Sequence, residues 1–344
     1  GESLISFVGA AESGIVPEIY EAFAATRGLA EDQNLIKLQE QLGEDCKMPN
    51  HRKICRPFGE NIGMILGESA QFVVLMQDSL AFELGLNIHG AALSSHIHSD
   101  GYKKSISGPG AGNYLTVGKV FNEIKKHFST AGLNQTFFHA HGTSTPQNRE
   151  SESHIISSIS KAFGVKALPV TAIKSYLGHS LAAAGGDQMI STLGSWKNNI
   201  IPGIASTPKL AENVHKENVE FLLQNKKFKD SEFNFAVLNA KGFGGNNGTA
   251  LVASPSKTMK ILESKYPKKD IKAYLIKKNN IDDQLNQSRQ KILQGDTKSR
   301  YIFGEDVIDG MSDFSIETDK ITNKLNKEVF DLNSTLPYED FLKK

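Results

Sequence analysis

The chain has 344 residues, 39% of them hydrophobic, which is enough to bury a sizeable core in one large domain or two smaller ones. Lysine and arginine number 39 against 38 for aspartate and glutamate, so the net charge of +1 gives no overall signature of nucleic-acid or anionic-membrane binding. The longest apolar runs, such as residues 72–76, are too short to cross a bilayer, and the N-terminus lacks a basic segment followed by an apolar one. We therefore expect a soluble protein without a membrane span, located in the cytoplasm or an organelle matrix and not secreted.

The cysteine content is low. Cys46 and Cys55 are separated by eight residues, and no second pair follows them. This pattern favours neither a zinc site nor a disulfide framework, so both side chains are expected to be buried or idle thiols. The sequence begins at Gly1 instead of methionine, which indicates a processed, trimmed or partial polypeptide.

The first hundred residues predict four elements. A short apolar run at residues 4–9 is typical of a buried strand. Residues 17–42 are mostly compatible with a helix, and an irregular polar stretch follows them. Residues 70–85 favour a second helix with Gly85 as its C-terminal cap. Residues 88–95 favour a strand.

Two histidines follow this predicted strand. On an extended chain, His96 and His98 point to the same face, as some metal sites require. A metal also needs further ligands, and the sequence identifies none. We therefore interpret both as solvent-facing loop histidines.

The middle of the chain alternates predicted helices and strands. Apolar residues recur at helical spacing between residues 114 and 130, which predicts an amphipathic helix with that stripe inward. The remaining predictions are a strand from residue 137, a helix from residue 150, a strand at 168–173, a helix capped by Ser180, and an antiparallel pair at 235–239 and 249–252.

Beyond residue 255 the composition shifts to Lys, Asn, Gln and Asp. Ile281 with Leu285 predicts one short helix, and Ile321 with Leu325, Val329 and Leu332 predicts another. A polar segment of this kind wraps a partner or its own surface, or is partly disordered.

Three motifs carry the chemistry. Residues 139–146 are His-Ala-His-Gly-Thr-Ser-Thr-Pro, residues 174–179 are Lys-Ser-Tyr-Leu-Gly-His, and residues 242–247 are Gly-Phe-Gly-Gly-Asn-Asn. The first two follow predicted strands and precede helices. This layout places reactive side chains at the carboxyl ends of strands beside helix N-termini.

These motifs resemble the C-terminal signature of the β-ketoacyl synthases, the condensing enzymes of the thiolase-like superfamily. The family has x-A-H-G-T-x-T-P, K-S-x-x-G-H and G-F-G-G-x-N in the same order, and three ordered motifs are more specific than one glycine-rich loop. An Arg-Pro-Phe sequence at 56–58 and a glycine-rich stretch at 63–70 resemble a further family segment, although Gly59 stands where the family usually has aspartate.

The resemblance extends over roughly residues 3–254 and implies an α/β fold, the thiolase-like layered αβαβα arrangement. Its N-terminal half would be incomplete, and the chain would carry a C-terminal extension. On this interpretation residues 1–86 are the remnant of the N-terminal half, residues 87–255 are the C-terminal domain, and residues 256–344 are a polar, partly helical extension.

The activity that the resemblance implies is decarboxylative condensation of an acyl thioester with malonyl carrier protein, in fatty acid or polyketide synthesis. His141 and His179 would stabilise the enolate of the extender unit, and Lys174 would organise the pair electrostatically. Phe243 would gate the acyl pocket, and its N–H would form half of an oxyanion hole in the loop that contains Gly244 and Gly245.

Other positions support the site or depart from the family. Thr143, Thr145 and Glu152 would support it, with Glu152 making a buried polar contact eleven residues after His141. Arg149 stands where the family usually has aspartate, which leaves the local ion pairing open. Ala240 and Lys241 replace a usual serine and an apolar residue, so the pocket beside Phe243 would differ in shape or charge.

The nucleophilic cysteine of the family lies on a strand-to-helix elbow, and neither Cys46 nor Cys55 stands in one. The expected partners are therefore an acyl carrier protein and a chain or larger assembly that carries the missing half. No metal and no small-molecule cofactor are expected, because the carrier protein brings the phosphopantetheine arm.

Two other functions are open at this stage. One is a catalytically inactive subunit that acts as a scaffold or as an acyl-carrier-protein-binding module. The other, which has less support, is a hydrolytic metalloenzyme that uses His139 and His141 on one strand face, since no third ligand is identified.

Overall fold

The computed structural model describes residues 3–103, 110–296, 308 and 310–333. The chain divides into two units, Gly1–Asp282 and Asp283–Lys344. The predicted division at residues 86 and 255 stays a prediction. No helix of the described ranges combines the length and the apolar character that a membrane crossing would need.

The helices differ widely in length, and the two longest are α4 and α9. They are α1 (Pro17–Ala25), α2 (Asp32–Gln41), α3 (Asp78–Leu84), α4 (Ala111–Asn134), α5 (Pro146–Ala162), α6 (Lys174–Leu177), α7 (Ala184–Asn198), α8 (Pro255–Lys265) and α9 (Lys268–Leu293).

The strands are mostly short. They are β1 (Ile5–Glu12), β2 (Ser69–Met76), β3 (Ala91–Ser99), β4 (Thr136–His139), β5 (Leu168–Thr171), β6 (Ile200–Ile201), β7 (Val219–Phe221), β8 (Lys226–Lys227), β9 (Phe235–Gly242), β10 (Asn246–Ala253), β11 (Phe314–Ile316), β12 (Lys320–Asn323) and β13 (Val329–Asp331).

The main sheet has six strands in the order β3-β10-β9-β4-β5-β7. Strand β10 is antiparallel to β3 and to β9, whereas β9, β4, β5 and β7 run parallel to their neighbours in that order. Phe138 of β4 is opposite Val170 of β5 and Val237 of β9. This register brings the carboxyl ends of three strands to one edge of the sheet, where a ligand site is expected in folds of this kind.

Both faces of the main sheet are covered. On one face, β4 and β9 contribute Phe138 and Val237 to a core with α4 and α5. On the other face, Phe137 packs against Trp196 of α7 with ring centroids 5.9 Å apart. The short strands β4 and β5 are buried throughout, including their polar residues Thr136, His139 and Thr171.

A second sheet lies on the far side of α7. Strands β1 and β2 form an antiparallel pair, and α7 contacts β2. Ser69 and Gln71 of β2 hydrogen-bond to Asp187 of α7. Because alternate side chains of a strand share a face, the face of β2 that carries Ser69 and Gln71 is turned towards this helix. The first unit therefore stacks α4 and α5, the main sheet, α7 and the β1-β2 sheet as four layers.

The outer face of the β1-β2 sheet is apolar and open to solvent. Phe7, Phe72 and Val74 are 78%, 61% and 52% exposed. The register places Phe7 opposite Val74 and Gly9 opposite Phe72, so these side chains form one surface. The prediction of a strand near residues 4–9 is confirmed, but the prediction that it is buried is wrong.

Several other predictions need correction. The helix predicted at residues 70–85 is wrong in its first half, which is β2, and right in its second half, where α3 ends at Gly85 with φ 67°. The strand predicted at 88–95 lies slightly later, as β3. His96 and His98 therefore belong to this strand, and not to a loop. Ser180 does not cap the following helix, because its hydroxyl donates to Asp187.

The C-terminal predictions have mixed outcomes. Ile281 and Leu285 do lie in a helix, the long α9. The second predicted helix is wrong, because Ile321 belongs to β12 and Val329 to β13 of a three-stranded antiparallel sheet. The turn between these strands contains Lys327 at φ 60°, a conformation that breaks a helix.

Candidate active site

The ends of three neighbouring strands bring the motifs together. His141 follows β4, Lys174 begins α6 just after β5, and Lys241 lies near the end of β9. The strand β4 lies between β9 and β5 in the main sheet. The first two motifs and the glycine-rich loop therefore meet at one edge, as the strand–turn–helix pattern predicted.

Glu152 of α5 fixes the turn that carries His141. Its side chain is fully buried, and its Oε1 accepts hydrogen bonds from the His141 backbone N–H (2.8 Å) and from Asn239 (2.8 Å). Its Oε2 accepts from the Gly142 backbone N–H (2.9 Å) and from Asn148 (2.9 Å). The buried polar contact predicted for this residue is therefore present, and it uses both oxygens twice.

His179 is held by an extended segment on the other side of the site. Its backbone N–H donates to the Ile65 carbonyl (2.8 Å), and its carbonyl accepts from the Gly67 N–H (3.0 Å). Gly178 before it adopts φ 71°, the left-handed region that glycine tolerates best. This turn directs the chain from α6 towards residues 65–67 and brings the second imidazole to the first.

The two imidazoles face each other with fixed protonation. Their ring centroids are 5.3 Å apart, and the rings are nearly perpendicular at 86°. His141 Nδ1 accepts the Lys241 backbone N–H (3.3 Å), and His179 Nδ1 accepts the Leu181 backbone N–H (3.1 Å). Because each Nδ1 acts as an acceptor, the proton of each neutral ring lies on Nε2. The site thus presents two Nε2–H donors.

Burial keeps both rings neutral. It lowers the pKa of His179 to about 3, and the charge of Lys174 adds to this effect. Burial also lowers the pKa of His141 well below its ordinary value, with further contributions from Lys174, His179 and Lys241. Neutral imidazoles at pH 7 are what a hydrogen-bond donor pair requires.

Lys174 is the buried cation of the site. Its side chain is only 3% exposed, and burial lowers its pKa to about 8, against the opposing effect of the carboxylates of Glu152 and Asp187. The ammonium form therefore still predominates at pH 7. The trio predicted from the sequence, His141, His179 and Lys174, comes together.

Cys55 lies beside this trio, which its position in the sequence did not suggest. Its thiol is buried and donates to the Lys174 carbonyl (3.1 Å). Burial raises its pKa to about 12, so it stays a thiol and is a poor nucleophile. Cys46 is exposed.

The glycine-rich loop lies between β9 and β10. Gly244 and Gly245 have φ of 82° and 83°, so this tight turn needs glycine at both positions. Phe243 at its tip is 60% exposed and contacts Phe23 of α1, with ring centroids 5.7 Å apart. The Gly245 carbonyl accepts from the Asp100 N–H (2.8 Å), which fastens the loop to the end of β3.

The threonines predicted as supporting residues lie in the turn after His141. The Thr143 and Thr145 hydroxyls are 3.3 Å apart, and neither caps α5 through its side chain. Between them, Ser144 has φ 63° and accepts the Arg56 backbone N–H (2.6 Å). The Arg-Pro-Phe sequence therefore supports the turn after His141 directly.

The ion pairing that Arg149 left open is resolved. Its guanidinium pairs with Glu60 (2.8 Å) and donates to the Gly59 carbonyl (2.9 Å). Arg149 also donates to Asn213 (2.9 Å). Gly59 and Arg149, the two positions at which the usual family aspartate is replaced, are therefore in direct contact.

Sequence reasoning missed two buried polar residues of α7. Asp187 accepts from Ser69 (2.6 Å) and from Ser180, the neighbour of His179. Gln188 donates to the carbonyls of Ala140 and Asn239, both at 2.9 Å, and so ties the ends of β4 and β9 together. The only signal in the sequence was a pair of polar residues within an apolar helix.

His139 and His141 make separate contacts. His139 lies within hydrogen-bonding distance of Thr192 (3.4 Å) and accepts the Ile173 backbone N–H (3.2 Å), so both of its nitrogens have protein partners. His96 pairs with Glu123 (2.8 Å) and His98 with Lys119 (2.6 Å). Within the described ranges, no group of three or more His, Cys, Asp or Glu side chains is arranged to hold a metal.

The chain is similar to known ketosynthases. Residues 89–207 match the family described as the β-ketoacyl synthase C-terminal domain. The chain is 41% identical over 313 residues to the β-ketoacyl-[acyl-carrier-protein] synthase FabY of Pseudomonas aeruginosa, which covers 90% of this chain and 48% of that protein. Residues 89–207 therefore form a β-ketoacyl synthase C-terminal domain. The chain is also 27% identical over 202 residues to 3-oxoacyl-[acyl-carrier-protein] synthase 2 of Vibrio cholerae, which covers 58% of this chain and 47% of that protein.

Solved structures agree with this ketosynthase assignment. The noncanonical ketosynthase FabY from P. aeruginosa matches with a TM-score of 0.87 at 38% identity, over 98% of this chain and 52% of that one. A type II polyketide ketosynthase in complex with its acyl carrier protein matches with a TM-score of 0.60 at 19% identity, over 74% and 57% of the two chains, and supports the fold alone. These likenesses confirm the thiolase-like α/β fold. The chain spans about half the length of the curated relatives it matches.

Proposed function

We propose that this chain supplies the histidine and lysine half of a β-ketoacyl synthase site. The reaction is the decarboxylative condensation of an acyl thioester with malonyl carrier protein, in fatty acid or polyketide synthesis. The observation that carries the proposal is the pair of neutral imidazoles, His141 and His179, whose Nδ1 atoms both accept backbone N–H groups. Two preorganised Nε2–H donors suit an oxygen that becomes negatively charged during a reaction.

The donors act first on the malonyl thioester. The bond between its carboxylate and its α-carbon breaks, carbon dioxide leaves, and the electron pair enters the enolate. The Nε2–H groups of His141 and His179 donate to the enolate oxygen as its charge develops. The ammonium of Lys174 stabilises that negative charge through space and keeps the neighbouring imidazoles unprotonated.

The enolate carbon then attacks the carbonyl of the acyl group held on a cysteine sulfur. A carbon–carbon bond forms, and the carbonyl oxygen becomes an oxyanion. The backbone N–H of Phe243 and that of the nucleophile would donate to it, in the loop whose shape Gly244 and Gly245 determine. The carbon–sulfur bond then breaks and releases the thiolate.

The nucleophile is proposed to come from outside these 344 residues, in a preceding segment or a separate chain. Cys55 is a buried thiol with a pKa of about 12, and Cys46 is an exposed thiol in the irregular stretch after α2. The apolar outer face of the β1-β2 sheet supports this proposal, because Phe7 and Phe72 form a surface that a further layer would cover.

The proposed substrate partner is an acyl carrier protein. A relative is named a β-ketoacyl-[acyl-carrier-protein] synthase, and a ketosynthase of similar fold was solved with its carrier protein. No resident cofactor is proposed, since the phosphopantetheine arm arrives with the carrier. Thr143 and Thr145 are proposed to support the turn that holds His141.

The test is carbon dioxide release from malonyl carrier protein by the chain assembled with its missing half. His141→Ala and His179→Ala are each expected to lower decarboxylation at least about 100-fold, because each removes one preorganised donor, while acyl loading of the nucleophile stays unchanged. His215→Ala, an exposed histidine away from the site, is the control.

Two results would contradict the proposal. Decarboxylation that survives in both histidine variants would remove their assigned roles. An assembly that binds carrier protein tightly but neither loads an acyl group nor releases carbon dioxide would favour the alternative, a catalytically inactive scaffold.

A further inference from the structure

Lys241 has an unusual position for a charged side chain. It lies near the end of β9, where the family resemblance leads one to expect an apolar residue. Side chains two residues apart on a strand point to the same face, so Lys241 and Asn239 both face α5. The Lys241 ammonium donates to Asn148 Oδ1 (3.3 Å) and to Ser151 Oγ (3.4 Å) of that helix.

Asn148 connects this ammonium to the buried carboxylate of the site. Its Oδ1 accepts from Lys241, and its Nδ2 donates to Glu152 Oε2 (2.9 Å). The carboxylate of Glu152 already accepts four hydrogen bonds from neutral groups. Lys241 therefore reaches Glu152 through one amide and supplies positive charge without displacing any of them.

The backbone of the same residue contacts the first catalytic imidazole. The Lys241 N–H donates to His141 Nδ1 (3.3 Å), and this bond places the ring proton on Nε2. Immediately after Lys241, the chain enters the exposed glycine-rich loop. Pairing with Asn247 of β10 holds this strand end within the sheet, and the Lys241 side chain adds a separate attachment to α5.

We infer that Lys241 is a positioning residue of the histidine site, whose ammonium anchors the end of β9 to α5 and so holds the backbone N–H that fixes the His141 tautomer. The same ammonium provides, together with Lys174, the positive charge that accompanies buried Glu152. The importance of this role for condensation rests on the proposed function, whereas the anchoring itself does not.

The charged groups around the two residues define the expected pH response. Lys174, His179 and Lys241 face His141 and all lower its pKa, after burial itself. Burial lowers the pKa of Lys241, the carboxylates of Glu152 and Asp100 oppose that shift, and Lys103 adds to it. Removing the Lys241 charge should therefore raise the pKa of His141, since its protonated form meets less repulsion.

The experiment is nuclear magnetic resonance of the ¹⁵N-histidine-labelled chain, with the His141 signals assigned from His141→Gln. The wild-type chain should show His141 with its proton on Nε2. Lys241→Met should raise the His141 pKa and mix the two tautomers, and Lys241→Arg, which keeps the charge, should retain the wild-type pattern. Lys161→Met removes an exposed lysine of α5, the helix that Lys241 contacts, and should leave the His141 pKa and tautomer unchanged.

The possible outcomes test the inference about Lys241 separately from the proposed function. An unchanged His141 pKa and tautomer in Lys241→Met would overturn it, as would the same change in Lys161→Met. Should Lys241→Met fail to fold, Lys241→Gln, with a shorter polar side chain and no charge, takes its place, and an unchanged His141 pKa and tautomer there would overturn the inference. A His141 response in an assembly that never condenses would support the inference and remove the proposed function.

Discussion

Glu152 is buried with both oxygens fully used. Its four donors are two backbone N–H groups in the His141 turn and two asparagine amides, and all four bonds are 2.8–2.9 Å long. Neither Lys174 nor Lys241 forms a direct ion pair with it in this arrangement, and both act on it through space. The carboxylate thus determines the geometry of the turn and the charge balance of the site together.

Glu152→Gln is expected to lower the free energy of unfolding by about 3–5 kcal/mol, because it leaves buried donors unpaired and removes the counter-charge of two ammonium groups. Urea unfolding can be followed by the fluorescence of Trp196, the single, buried tryptophan. As a control, Glu217→Gln removes the exposed carboxylate that pairs with Lys161 and should change stability by less than about 1 kcal/mol. Equal effects of the two substitutions would contradict this account of Glu152.

The buried imidazoles predict sensitivity to acid. Burial and the charge of Lys174 lower the pKa values of His139 and His179 from 6.5 to about 3. Between these values the unfolded chain binds protons that the folded chain does not, so stability falls as the pH falls below 6.5. Each imidazole contributes a slope of up to about 1.4 kcal/mol per pH unit.

His139→Gln tests this slope. A glutamine oxygen can still accept the Ile173 N–H that His139 accepts, but it does not titrate. The free energy of unfolding measured at pH 6.5, 5.5 and 4.5 should therefore fall less steeply in the variant, by up to about 1.4 kcal/mol per pH unit. If the free energy of unfolding falls equally steeply with pH in wild type and variant, His139 has the same pKa in the folded and the unfolded chain, and this account of His139 is wrong.

At the scale of elements, Asp187 joins α7 to its surroundings. It accepts hydrogen bonds from Ser69 and Gln71 of β2, and from Ser180 beside His179. One carboxylate therefore links β2, α7 and the segment that carries His179. Its charge also raises the pKa of Lys174 against the effect of burial.

Asp187→Asn should lower the free energy of unfolding by about 2 kcal/mol, because the amide nitrogen cannot accept from one of these donors. Ser69→Ala removes a single donor, and about 1 kcal/mol is the expected loss. Thermal unfolding of both variants gives the comparison. A loss for Ser69→Ala as large as for Asp187→Asn would show that the contact with Ser180 contributes nothing.

Periodicity predicted the elements that are buried on one side. Val117, Val120, Phe121 and Ile124 recur at helical spacing, and all four are fully buried in α4. The motif turns were equally predictable, because a strand, a polar turn and a helix leave few arrangements for His141 and Lys174. Contacts between residues far apart in the sequence, such as the hydrogen bond between Ser69 and Asp187, could not be predicted, because nothing in either segment indicates the other.

The errors have a physical origin. Strand β2 was predicted as a helix because both faces carry apolar residues, and its exposed face, with Phe72 and Val74, removes the alternation that marks a half-buried strand. In the C-terminal region, Ile321, Leu325 and Val329 match helical spacing by chance. The turn around Lys327, at φ 60°, had no glycine or proline to reveal it.

At the scale of the whole molecule, the first unit is a layered body with one exposed apolar side. Cores lie on both faces of the main sheet and involve α4, α5 and α7, and the inner face of the β1-β2 sheet contacts α7. The outer face of that sheet carries Phe7, Phe72 and Val74 in the open. An exposed apolar surface of this kind marks an interaction site.

Variants on the outer face of the β1-β2 sheet test the proposal that another chain or segment supplies the nucleophile. Phe7→Lys and Phe72→Lys should weaken assembly with the chain or segment that carries the nucleophile by at least about tenfold, because each removes a large apolar contact of roughly 1.5–3 kcal/mol. Ile97→Lys is the matched control, since Ile97 is 79% exposed on β3 of the main sheet. The measurement is the dissociation constant of the two halves, alongside urea unfolding of the isolated chain, which should be unchanged in all three variants because these side chains are already exposed. Equal weakening by Ile97→Lys, or none by the two phenylalanine variants, would place the missing half elsewhere on the molecule.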